Sequence, residues 1–396
     1  MTEGVPVHVT RPFADYPALV FARAALRSPV FARTRPSGSV AAPEAELVIG
    51  AASGTGEHEV GVRARAELVE RTSNILAGRR TEDIGCCDSF ARRSRGGAPV
   101  MDPRCWPELA DIPEIRERPL LWAEGVSLTH GGEVLVPACT VYLRHRPPDG
   151  SPAGMSPGSA GLAAHRSVEL ARQHALLEVF ERDLFWRAWY GDGPRRVIDV
   201  DPLRTELRAL GLERTTLLLP GPEGCACVVV CLSEPNRSRQ SFGARAVSST
   251  DERSIHDATR IATHEALMVR WSLNTPSART SAEALAGRRS PDGPLEHALH
   301  AFHRQDSLGH LLAGAARGLP AGLGDADLAG ALADHTGQDV VWVDTAARSG
   351  DLVEAVPDSP LIVGRVVAPG ARRLPANEAR IPTGLKPGHT LPHPLG

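Results

Sequence analysis

Leu176-Leu177-Glu178-Val179-Phe180-Glu181-Arg182-Asp183 is the segment on which the reading of this 396-residue chain turns. It lies inside a helix expected from about Ser167, whose hydroxyl suits an N-cap with Val168-Glu169 behind it, to Trp189, ahead of Gly191 and Gly193. Glu178 and Glu181 stand three apart and share one helix face, and Arg182 follows about a third of a turn further round. The pattern apolar-Glu-x-x-Glu-Arg recurs 111 residues upstream as Ala66-Glu67-Leu68-Val69-Glu70-Arg71, and a third helix, from about Ser254 to Leu273, offers Glu265 and Arg270 in a similar place.

Taken singly, glutamates three apart with a trailing arginine are ordinarily solvated helix surface. Here Leu68 and Val69 flank one pair and Leu176, Leu177, Val179 and Phe180 the other, which argues for partial cover. Close carboxylates taken from water repel by about 4 kcal/mol per pair at an effective dielectric near 20, and that repulsion calls for a cation. Bridging magnesium meets the need, because hard carboxylate oxygens suit Mg2+.

Outward from these helices the chain alternates irregularly. Gly54-Thr55-Gly56 opens the first helix, expected from about Glu59 to Leu76 with Val62, Ala66, Val69 and Ser73 on one face. Residues 1–45, rich in Pro, Arg and Ala, carry weak periodicity and no assignable role, and Arg79 to Pro107 reads as polar loop. Val126 to Leu128 and Glu133 to Leu143 read as strands about a Gly131-Gly132 turn, and Pro147 to Gly158 as a flexible crossing. Thr215 to Leu219, Ala226 to Leu232, Val340 to Val343 and Leu361 to Ala368 are strand-like, and residues 276–335 look helical. The class is mixed α/β, in the α+β sense. The division expected is an N-terminal segment, 1–45, and one domain, 46–396, with sub-lobes at 46–150 and 151–396 and a Pro-rich tail over 386–396.

Composition removes several function classes. A formal charge of −3 with scattered basic residues leaves no footprint for nucleic acid or an anionic membrane. No apolar run reaches the ~18 residues of a membrane helix and no secretory start precedes Thr10, so the cytoplasm is expected. Seven cysteines without a Cys-x-x-Cys pair read as reduced thiols; Cys225 and Cys227 share a strand face but lack further zinc ligands nearby. Lys386 is the only lysine and no Gly-Lys-Ser/Thr occurs, which excludes Walker-type and kinase-type lysines. A bound triphosphate would therefore rest on arginine, backbone amides and carboxylate-held magnesium.

Three helical motifs together resemble the YcaO family. Ser159-Ala160-Gly161-Leu162-Ala163 leading to Leu176 through Asp183 is similar to the family's Ser-Asn-Gly-Leu-Ala and Leu-Leu-Glu-x-x-Glu-Arg-Asp. Gly54-Thr55-Gly56 with Arg63 through Arg71 resembles its first motif, and Glu265-Ala266-Leu267-Met268 its Glu-x-x-Gln. Gly125-Val126-Ser127-Leu128 to Val136-Pro137-Ala138, Val366 through Gly370 and Pro392-His393-Pro394-Leu395-Gly396 are similar to its strand pair, late strand and Pro-rich C-terminus. The resemblance spans about residue 50 to the end. Arg63, Ala160 and Met268 depart from it where serine, asparagine and glutamine are usual, and the chain ends Leu-Gly where azoline-forming relatives often end in proline.

The resemblance implies a YcaO-like fold, with helices packed on mixed sheets around an ATP site, and ATP-dependent activation of backbone amides in a ribosomally made peptide. Cyclodehydration of Cys, Ser or Thr to azolines is the expected outcome. A thioamide- or amidine-forming enzyme, an enzyme acting with a TfuA-type partner, and a degenerate scaffold or peptide-binding protein stay open. ATP and Mg2+ are implied as cofactors. Glu67, Glu70, Glu178, Glu181 and Glu265 are assigned to magnesium and phosphate, and Arg71, Arg182 and Arg270 to phosphate oxygens or to pairing with the glutamates. His393 and the Gly396 carboxylate are implied at the catalytic centre, although a tail histidine is ordinarily exposed. Expected partners are the precursor peptide and a separate leader-binding protein, with a homodimer as one arrangement.

Overall fold

A computed structural model describes residues 5–33, 44–97, 99–152, 155, 157–286, 290–304, 306–320, 327–346, 361–388 and 391–396. Three long helices organise three sheets, as expected for a mixed α/β, α+β chain. Helix α1 is Glu57–Ile84, α2 is Val168–Tyr190 and α3 is Glu252–Leu273. The Ser167 hydroxyl caps α2 by accepting from the Leu170 N–H, and the Asp251 carboxylate caps α3 by accepting from the Ser254 N–H.

The first sheet orders β1 (Val7–Thr10), β2 (Val20–Ser28) and β3 (Glu46–Gly54) antiparallel. Residues before 46, which show little periodicity in sequence, thus supply two of its three strands. Helix α1 packs on this sheet and runs two turns beyond the expected end at Leu76. Gly78 does not stop it, because a Cβ there would come within 2.8 Å of the Tyr142 side chain, so the glycine serves close packing. Arg79 is likewise buried and donates to the carbonyls of Val30, Ala32 and Arg144.

The second sheet carries β4 (Cys87–Asp88), β5 (Leu120–Ser127), β6 (Glu133–Pro137), β7 (Leu162–His165), β13 (Val341–Asp344) and β14 (Ile362–Val367). Strand β6 stops at Pro137 rather than Leu143. The chain turns through Ala138–Thr140, with the Thr140 hydroxyl donating to the Pro137 carbonyl. Parts of the Pro147 to Gly158 crossing and of residues 276–335 lie outside the described residues.

The third sheet orders β11 (Ser241–Val247), β10 (Ala226–Ser233), β9 (Glu213–Pro220), β8 (Arg196–Ile198) and β12 (Ala316–Arg317). Every residue of β10 is buried. Cys227, Val229 and Cys231 face Leu184 and Phe185 of α2, whereas Val228, Val230 and Leu232 face Ile255, Ala258 and Ala262 of α3. An apolar strand covered on both faces explains why Ala226 to Leu232 reads as a continuous hydrophobic run. It also places α2 and α3 on opposite faces of one sheet. The cysteines are unpaired, and burial pushes the Cys225 thiol up to about 11.

Candidate nucleotide and metal site

Each long helix turns one glutamate back onto the backbone of a neighbouring strand. The Ala51 N–H of β3 donates to Glu67 of α1 at 2.7 Å, the Gly161 N–H before β7 donates to Glu178 of α2 at 3.1 Å, and the Ala244 N–H of β11 donates to Glu265 of α3 at 3.0 Å. Close approach of helix and strand makes these bonds possible. A Cβ on Gly50 would lie 2.2 Å from the Ala64 carbonyl oxygen, and one on Gly243 would lie 2.1 Å from that of Ala262. Gly161 sits at φ +81°, where a Cβ would meet the Val366 carbonyl oxygen at 2.6 Å, so this step of the Ser-Ala-Gly-Leu-Ala segment admits only glycine.

These bonds bring the expected acids into one electrostatic unit. Burial raises Glu70 well above the ordinary carboxylate value, and Glu178 and Glu67 raise it further. Burial pushes Glu178 up to about 7, with Glu181 adding to the rise and Arg182 opposing it. Burial raises Glu181 against the pull of Arg182 and Arg245, with the Ala246 amide bonded to it. Glu265 is pushed up to about 7 by burial and by Glu181. The acids thus form a continuous series from Glu67 through Glu70, Glu178 and Glu181 to Glu265, contributed by three helices.

Arg182 is the cation at the centre of the series. It lies 3.5 Å from Glu181 and 4.0 Å from Glu178, and although burial works to lower its pKa, Glu181, Glu178 and Glu265 outweigh that and hold it raised. Arg71 pairs with Glu67 at 2.5 Å and donates to the Ile49 carbonyl at 2.6 Å, so its guanidinium is committed to the rim of the first sheet.

Arg270 is a correction. It stands five residues after Glu265, about 140° round the helix at 100° per residue, whereas Arg182 and Arg71 stand four after Glu178 and Glu67. It faces away from the acids, donates to the Arg239 carbonyl and to Glu234, and lies over the Phe302 ring.

The tail is the second correction. His393 is buried rather than exposed, 4% accessible, and its ring bonds the Pro375 carbonyl at 3.0 Å while stacking on His297. Gly396 lies against Pro294 and Ala298. His393 is near enough for Arg182 to depress its pKa, but its hydrogen bonds go to a different set of residues.

Two basic residues join the site without having been singled out in sequence. Arg365 of β14 is 1% accessible and donates to the carbonyls of Val141, Pro157 and Ala160; burial brings it down to about 9, against the favourable field of Glu178 and Glu70. Arg245 of β11 acts on Glu181 and Glu265. The signal for both was an arginine inside an otherwise apolar strand, in Ile-Val-Gly-Arg-Val-Val and in Gly-Ala-Arg-Ala-Val.

Magnesium and a triphosphate suit this donor set. Hard carboxylates brought together and largely out of water are relieved by divalent cations, and neighbouring arginines complement phosphate oxygens. Among the described residues, no three of these glutamates bring their oxygens within 4.8 Å of one another. They therefore do not cage one ion by themselves, as suits cations whose remaining ligands are phosphate oxygens.

The YcaO family, described as YcaO cyclodehydratase, ATP- and Mg2+-binding, matches residues 52–372. An uncharacterized protein of Methanothermobacter thermautotrophicus is 29% identical over 210 residues, covering 50% of this chain and 51% of its own, so the match spans about half of that relative. The structure of YcaO from Methanopyrus kandleri bound with AMPPCP and Mg2+ superposes with a TM-score of 0.60 at 21% identity, covering 99% of this chain and 91% of that one. A heterocyclase in complex with substrate and cofactor gives 0.65 at 18% identity, covering 93% of this chain and 50% of that one. At these identities the two structures share the fold.

Proposed function

This chain belongs to the YcaO family, an ATP- and Mg2+-binding family, and from that premise we propose that it activates backbone amides of a ribosomally made peptide at the expense of ATP, closing Cys, Ser or Thr side chains onto the preceding carbonyl to give azolines. The observation that carries the reading is the buried acid series of α1, α2 and α3 gathered about Arg182. ATP supplies the phosphoryl group that makes an amide oxygen a leaving group. The side-chain thiol or hydroxyl bonds to the amide carbon and loses its proton, the phosphorylated oxygen departs as phosphate, and loss of the amide N–H proton leaves the C=N bond of the ring.

Glu67, Glu70, Glu178, Glu181 and Glu265 would hold magnesium, which screens their repulsion and the negative charge of the transferring phosphate. Arg182 would meet phosphate oxygens, while Arg365, committed to the carbonyls of Val141, Pro157 and Ala160, lends Glu178 and Glu70 its positive field. Fixing these groups on three helices and two strands supports catalysis by positioning, since such phosphoryl transfer rests mainly on orientation and charge stabilisation.

A scaffold that binds peptide without turnover is the second reading, and specific observations favour it. Arg63 is engaged by the Ser53 carbonyl and Glu59, Met268 packs into the apolar cluster beneath α3, and Ala160 offers only its carbonyl, to Arg365. A precursor peptide and a separate leader-binding partner belong to the enzyme reading.

Incubating the chain, Mg2+ and ATP with candidate precursor peptides, with and without a candidate leader-binding protein, and following the peptide by mass spectrometry, separates the readings. Loss of one water per ring is expected. Gain of sulfur for oxygen would replace azoline by thioamide, and an unchanged peptide with no ATP turnover would leave the scaffold.

A further inference from the structure

Helix α4, Pro294–Arg304, carries His297, which meets Glu378 and His393 in a second buried cluster. We propose that His297, Glu378 and His393 form a binding site for a zinc-class divalent ion that fastens the C-terminal segment to α4 and to the end of α2. It is independent of the acid series and of the proposed activity.

The argument is a count of hydrogens. His297 Nδ1 lies 2.9 Å from the Gly293 carbonyl, which only accepts, so Nδ1 carries the hydrogen and Nε2 faces Glu378 Oε1 at 3.0 Å. His393 Nε2 lies 3.0 Å from the Pro375 carbonyl and is protonated for the same reason, leaving the lone pair on Nδ1. That Nδ1 is buried without a partner, as is Glu378 Oε2. Glu378 Oε1 meanwhile accepts from the Tyr190 hydroxyl at 2.7 Å and from the His393 N–H at 3.3 Å. His393 Nδ1 and Glu378 Oε2 are thus two buried acceptors without donors, and a cation between them would satisfy both.

The donor atoms of these residues lie within 4.8 Å of one another, and they are the one such trio among the described residues. Two imidazoles and a carboxylate suit zinc, leaving a fourth position for water. Every ligand already has an outer partner that fixes its hydrogens: the Gly293 carbonyl, the Pro375 carbonyl and the Tyr190 hydroxyl. The His297 and His393 rings stack at 4.0 Å and 12°, so their lone pairs run nearly parallel and ion uptake tilts one ring out of the stack. His393 lies on an irregular segment outside any helix or strand, whose neighbouring anchor is the Trp189 indole donating to the Leu391 carbonyl. Trp189 and Tyr190 end the helix that bears Glu178 and Arg182, so the ion would order that helix end.

The test is metal analysis of the purified full chain, then cobalt titration of the chelator-stripped chain in excess Mg2+, read by visible absorption. The proposal expects one ion per chain and the intense bands of four-coordinate, nitrogen-ligated cobalt. His393→Ala should weaken cobalt binding by about 100-fold, and Tyr190→Phe, which removes an outer partner, by about 10-fold. A wild-type chain that shows no such bands overturns it without recourse to any variant. Folded His393→Ala and Glu378→Gln chains that bind cobalt as tightly as wild type overturn it as well.

Discussion

Two hairpin-and-helix units, β2-β3-α1 and β10-β11-α3, solve one problem in the same way and then diverge. Each presses a strand glycine, Gly50 or Gly243, against its helix and donates the next N–H to a helix glutamate, Glu67 or Glu265. In the first unit Glu70 adds a second acid and Arg71 closes on Glu67. In the second, Met268 occupies the equivalent i+3 position and packs into the core, and Arg270 leaves for Glu234 and Phe302. Shared geometry therefore secures one acid per unit, and the local sequence decides how much charge is added. The site is richer in acid on the α1 and α2 side.

The largest expected effect tests the shared part. Gly243→Ala forces a Cβ to within 2.1 Å of the Ala262 carbonyl oxygen, and Gly50→Ala one to within 2.2 Å of that of Ala64. Each should lose about 3 kcal/mol in chemical denaturation, because backbone cannot yield as a side-chain tip can. Equal losses support the equivalence of the units, and a harmless Gly243→Ala would break it.

The next effect concerns charge. Glu265 is lifted to about 7, so the folded chain keeps a proton that the unfolded chain releases near the ordinary value of 4.5. Stability without divalent cations should therefore fall as pH rises from about 4.5 to about 7 and level off above. Glu265→Gln should remove about 2 kcal/mol of that fall, measured by urea denaturation across the window. An unchanged slope would place Glu265 in water rather than in the series.

The smallest effect separates the two trailing arginines. Arg270→Ala should lose about 1 kcal/mol of stability through its contact with Phe302 and leave Mg2+-nucleotide binding unchanged. Arg71→Ala should lower nucleotide affinity instead, because it frees Glu67 beside the first-sheet rim. Calorimetry on the two variants reads both, and the reverse pattern would restore Arg270 to the site.

Much of this was legible in sequence because helices announce themselves through period and caps. Helix α2 was expected to within a residue at each end, and Glu67, Glu70, Glu178, Glu181 and Glu265 lie within the three helices expected from the sequence. Against the solvated-surface alternative, Glu67, Glu178 and Glu265 each accept from a strand amide, and Glu181 is buried. Strands β1 and β2 were missed because Pro- and Arg-rich surroundings mask the alternation of the short edge strand β1 and of the central strand β2, and Gly78 hid the length of α1. Arg365 and Arg245 escaped because a lone arginine in a strand signals burial only when its acidic partners are known. The His297, Glu378 and His393 cluster joins residues nearly a hundred positions apart, and no spacing rule links them.

The most direct test of the acid series as a nucleotide site is calorimetric titration of AMPPCP with Mg2+ into the wild-type chain and into the Glu178→Gln, Glu181→Gln double variant. Magnesium-dependent binding to the wild type, abolished in a double variant that remains folded, is the predicted result. Equal binding by both chains would contradict the placement of the site on α2, and no binding by the wild type would contradict the nucleotide site itself.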